Sequence, residues 1–154
     1  MLAGDDNIGY GSKMHRQRKV AMDWSQIESP SLDDFAAMAR AAFAGLPAEF
    51  RALVGDIVFR VDDFPDEDVI KGMGLESEFD ILGLFHGADL AAREGPYAMA
   101  GQTMIFLYRR PILDYWAEHD EKLGNIVRHV LIHEIGHHFG LSDEAMHALE
   151  DAAD

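Results

Sequence analysis

The sequence predicts an α+β fold. Helical apolar spacing opens the body of the chain, short strand-like runs occupy its middle, and helical spacing returns at its end. At 154 residues and 48% hydrophobic content the chain suits one domain with a packed core. Residues 1–23 mix Gly, Asp and Asn with the basic patch Lys13, His15, Arg16, Arg18 and Lys19, and are expected to be a flexible leader before a domain at 24–154. Ser31 caps a helix to about residue 44, with Asp34 closing a capping box and Phe35, Met38, Ala39, Ala42 and Phe43 as its apolar stripe. Pro47 opens a short helix to about 53. Ile57, Phe59 and Val61 alternate as in a half-buried strand, and Asp62, Asp63, Pro65 and Asp66 form an acidic turn before a short helix to about Gly72. Residues 80–86 read as a second strand, 87–101 as a loop with three Gly and one Pro, and Gln102 to Tyr108 as a third strand. Pro111 opens a helix to about 118. One longer helix is expected over 120–139, with Asp120 and Glu121 at its positive end, and a last one over 142–151.

The chemistry is concentrated in HEIGHHFGLSD, residues 133 to 143. His133 and His137 are four apart, so on a helix they share one face and can bind a single metal ion. Glu134 beside them is placed to act as a base on water there. Gly140 can end the helix in a left-handed conformation and turn the chain back, which brings Asp143 into reach as a third ligand. Three protein ligands with an open fourth position is the layout of a catalytic zinc site. HExxH alone arises in about 3% of shuffled chains of this composition, but the full pattern with Gly and Asp in about 0.03%, so it is the longer motif that carries weight. Asp143 has a competing explanation, because Ser142-Asp143-Glu144 can simply start the final helix; His147 and Glu144 are rival ligands.

The motif HExxHxxGxxD resembles that of the zincin metallopeptidases, most of all the short bacterial zincin-like proteins with Asp as third ligand. Leu82-Gly83-Leu84-Phe85-His86-Gly87 and the run from Ile105 to Leu113 resemble segments of the same family, so the resemblance spans roughly residues 31–150. It implies a zincin-like α+β fold: a small mixed β-sheet with flanking helices and a central metal-binding helix. It implies one Zn²⁺ per chain, held by His133, His137 and Asp143, with Glu134 as catalytic base and a peptide or protein as substrate. The larger metzincins carry His where Asp143 stands and a methionine-containing turn further on. Met146, three residues past Asp143, falls within the expected final helix and is not read as that turn. The support beneath the metal is then missing or supplied differently.

The remaining candidates have weaker cases. His129, one turn before His133, suits a role beside the ligands or in packing. Tyr97 and Tyr108 are candidate hydrogen-bond donors to an oxyanion, against ordinary loop and core roles. His86 can reach the cleft if its strand borders it, His138 is expected to face away from the metal, and Arg109 and Arg110 to pair with acidic groups. Either strand, 80–86 or Gln102 to Tyr108, could offer an edge to an extended peptide. The net charge of −15 argues against nucleic acid and anionic membrane as partners and favours cationic peptides. The absence of cysteine excludes disulfides and thiolate ligands. With no apolar run of transmembrane length and no secretion signal, the cytoplasm is the expected location. Two alternatives to a peptidase stand: a non-catalytic zinc-containing module that binds peptides, and an RNA-processing hydrolase using HxxxHxxGxxH, which the Asp at the last position and the acidic body disfavour.

Overall fold

The structure, a computed structural model, describes residues 22–87 and 103–153. After a single 3₁₀ turn at Trp24–Gln26 the elements are α1 (Leu32–Ala44), α2 (Ala48–Val54), β1 (Ile57–Asp62), α3 (Glu67–Gly72), β2 (Gly83–His86), β3 (Thr103–Tyr108), α4 (Arg109–Glu118), α5 (Leu123–His138) and α6 (Asp143–Ala152). The predicted α+β class and small mixed sheet are present. The sheet order is β1-β3-β2, with β1 parallel and β2 antiparallel to β3.

The capping box on α1 forms as its sequence demands: Ser31 Oγ accepts from the Asp34 N–H at 3.0 Å and the Asp34 carboxylate accepts from the Ser31 N–H at 2.8 Å. Phe35 and Ala39 are fully buried against the core. Strand β3 is the middle strand, buried on both faces from Met104 to Tyr108, which accounts for its unbroken apolar run. The β3 ladder is therefore taken up on both sides, and of the two strands considered as a peptide edge only β2 keeps one side without a partner among the described residues.

Alternation along the strands sorts the core. Ile105 and Leu107 join α1 and α5 residues Val127, Leu131, Ile132 and Ile135 in the main cluster. Met104, Phe106 and Tyr108 face the other way, with Ile81, and with Val69, Leu75 and Leu84 packed on them. Gly83 is required at the crossing of β2 and α5: a Cβ there would lie 2.7 Å from Val130 Cγ1 and 2.9 Å from the Phe106 carbonyl oxygen.

Three boundaries differ from expectation. Strand β2 begins at Gly83, not residue 80, because the Asp80 carboxylate accepts from the N–H groups of Glu76 (3.2 Å) and Ser77 (3.0 Å) and closes a turn instead. Helix α4 starts two residues before Pro111, which is tolerated since first-turn N–H groups lack helical partners anyway. Helix α5 starts at Leu123, so Asp120 and Glu121 stand before it. Trp116 Nε1 donates to the Glu121 carbonyl at 2.9 Å and fixes that connection, while the Glu121 carboxylate accepts from Asn125 Nδ2 at 2.9 Å.

Candidate metal centre

The HExxH segment occupies the last turns of α5, whose other face is buried through Ile126, Val127, Val130, Leu131, Ile132 and Ile135. The helix ends at Gly140, with φ +73°, and the Leu141 N–H reaches back to the Gly136 carbonyl at 2.9 Å. This is the glycine-terminated closure that the motif's Gly predicts, since a side chain there would strain the left-handed backbone. Ser142 then caps α6, its Oγ accepting from the Ala145 N–H at 3.1 Å. The facing pairs His129–Glu150, His133–His147 and Gly136–Met146 show that α5 and α6 run antiparallel as a tight hairpin.

Met146 is fully buried, and a Cβ on Gly136 would lie 2.6 Å from its Sδ. A methionine thus packs directly beneath the HExxH turn from within α6, and Gly136 is the residue that lets it approach.

The His133 and His137 rings stand 5.9 Å apart and nearly perpendicular, with His137 exposed to solvent. His133 is mostly buried, and its Nε2 is shut off from solvent with no hydrogen-bond partner. Burial, with help from the neighbouring His129, holds the His133 imidazole below the ordinary histidine range, which favours the neutral ring with one nitrogen lone pair available. Burial likewise pushes the Glu134 carboxyl above the ordinary glutamate value, and His137 only partly offsets this.

Around His133 stand His129 (ring centroids 3.9 Å apart), His147 (6.3 Å) and Glu150, whose Oε2 is 3.9 Å from His133 Nε2. His129 Nδ1 also makes a close hydrogen bond to Glu150. Among the described residues, His129, His133 and Glu150 form a group whose ligand atoms all lie within 4.8 Å of one another. Asp143 is exposed as the first residue of α6 and is not in that group; Glu144, beside it, is also exposed. Sequence reasoning passes over Glu150. The available signal is its place seven residues after Asp143 and three after His147, on one face of α6.

The other candidates divide by position. Tyr108 is buried with Phe106 on the sheet face turned away from α5, the place of a core tyrosine and not of an oxyanion donor. His86 lies on that same face, its ring 5.5 Å from Phe106, so β2 does not aim it at the cleft. Tyr97 lies outside the described residues. His138 packs on Phe85 at 4.5 Å and closes on Gly87, away from α6. Arg109 pairs with Asp63 at 3.0 Å and donates to Ser29 and Pro30, as an acidic surface leads one to expect, whereas Arg110 lies over the Phe64 ring.

The donor set fits a zinc ion: a buried imidazole nitrogen with a free lone pair, a second imidazole one turn on, and carboxylates within the same hairpin. No helix among the described residues is long and apolar enough to cross a membrane. No curated protein matches the chain. Residues 54–153 match the sequence profile of the zincin-like metallopeptidases, a span that starts at the end of α2 and runs through the sheet and both helices of the histidine hairpin. The fold, the HExxH helix ended by glycine and this match over most of the chain agree, and the protein belongs to the zincin-like metallopeptidase family.

Proposed function

We propose that this chain is a zinc-dependent peptidase in which His133, His137 and Asp143 hold one Zn²⁺ and Glu134 is the general base. The observation that carries this reading is the buried, unpartnered Nε2 of His133 inside the HExxH turn of a family-matched domain. A buried polar nitrogen without a partner costs free energy, and a bound cation removes that cost. When bound, zinc would acidify a water molecule and polarise the scissile carbonyl. The chain's own residues do the rest. Glu134, with its pKa raised by burial, is a stronger proton acceptor than an exposed glutamate; it takes a proton from the attacking water and passes it to the leaving amine as the C–N bond breaks. Met146 and the buried face of α5 hold this turn rigid, which keeps Glu134 and the two imidazoles in register. An extended peptide would add to the side of β2 that has no partner among the described residues; this strand packs on α5 through Gly83 and Val130.

The test is cleavage of a peptide library by native protein and by Glu134→Gln, with zinc content measured in both. Equal zinc with cleavage lost only in the variant supports the peptidase. Zinc in both and cleavage in neither would instead support the non-catalytic zinc-containing module.

A further inference from the structure

The histidine ladder of α5 extends beyond the HExxH pair. His129, His133 and His137 follow one another at intervals of four, and Glu150 faces the first two from α6. We propose that His129, His133 and Glu150 form a second position for a divalent transition-metal ion, one helical turn from the His133–His137 pair. It shares His133 with the peptidase reading but does not depend on catalysis.

Three observations support this position. The ligand atoms of the three residues already lie within 4.8 Å of one another. Ligand atoms on one zinc ion stand roughly 3.5 Å apart, given bonds of about 2.1 Å, so small side-chain adjustments complete the cage. The separation of 3.9 Å between His133 Nε2 and Glu150 Oε2 is too long for a hydrogen bond and suits a cation between them. A plain His129–Glu150 hydrogen bond between helices explains the pair but leaves the His133 nitrogen unsatisfied. Finally, His129 and Glu150 line a cavity of about 540 Å³ with Tyr115, Glu121, Asn125 and Arg128, which leaves room for water beside these two side chains. Two imidazoles and one glutamate form a donor set that zinc accepts, and other first-row divalent ions also suit it.

The Nε2 of His133 has one lone pair, so the two positions are alternatives. An ion held by His129, His133 and Glu150 does not engage His137.

The test is metal binding by His137→Ala, measured by equilibrium dialysis against ZnCl₂ and by Co²⁺ absorption, with circular dichroism as a check on folding and His137→Gln as a second variant. The expected result is that His137→Ala still takes up one ion per chain, and that adding Glu150→Gln or His129→Ala weakens this uptake by roughly tenfold or more. No uptake by either His137 variant, or a smaller effect of either added change, overturns the proposal. The peptidase reading is judged separately by the dependence of cleavage on Glu134 in the native background, which these results leave untouched.

Discussion

At the scale of single residues, the environment of Glu134 and His133 decides their chemistry. If Glu134 is the base, Glu134→Gln lowers kcat by about 10²–10⁴-fold while zinc content stays at the native level; a variant that keeps native kcat removes Glu134 from the mechanism. The raised pKa has a consequence for the metal-free protein. An unfolded glutamate titrates near 4.5, and the folded Glu134 titrates above that. Below both values the side chain is protonated in either state and costs nothing. As pH rises through the folded value, the cost of burying its charge grows to its full size. Glu134→Gln should therefore gain stability over the native chain between about pH 4 and about pH 8, as read by urea unfolding. A gap that stays flat or narrows over that range contradicts the burial that the structure gives this carboxyl.

At the scale of elements, two close approaches hold the site against its scaffold. Gly83→Ala places a methyl against Val130 and the Phe106 carbonyl, and backbone cannot yield as a side chain can. It should cost about 1–3 kcal/mol in denaturant unfolding, with β2 displaced from α5. Ser31→Ala removes one half of the α1 capping box and should cost about 1 kcal/mol without altering zinc binding. A Ser31 variant that lost zinc would show that α1 positions the site. Gly136 and Met146 tie the two helices of the histidine hairpin together, and this contact was not legible in the sequence. Met146 reads there as one apolar position of a short amphipathic helix, and nothing local says that its sulfur meets Gly136 across the turn.

At the scale of the whole molecule, charge is the dominant property. Residues 1–23 hold four Lys/Arg against three Asp/Glu, so the acidic excess belongs to the folded body. A body with this field attracts cationic peptides over distances that salt screens. Under the peptidase reading, kcat/KM for Lys/Arg-rich substrates should fall as NaCl is raised from about 0.05 to 0.5 M, while that for neutral peptides of the same length changes little. Equal salt responses would assign the acidic surface to solubility alone. The match to the family begins at residue 54, later than the roughly residue 31 that the resemblance suggests, yet α1 packs on both β1 and α5 and is part of the same core.

Local rules made the helices, the middle strand and the glycine-ended HExxH turn readable without coordinates. Capping by Ser31, the left-handed turn at Gly140 and the i, i+4 pairing of His133 with His137 depend on neighbours within a few residues. Contacts between distant residues were decided only by the tertiary structure. It made β3 the central strand, turned Tyr108 and His86 to the face away from α5, and carried Glu150 back beside His129 and His133. Those outcomes depend on which faces pack and on how closely two antiparallel helices approach, and an apolar period or a four-residue spacing does not encode the identity of the facing partner.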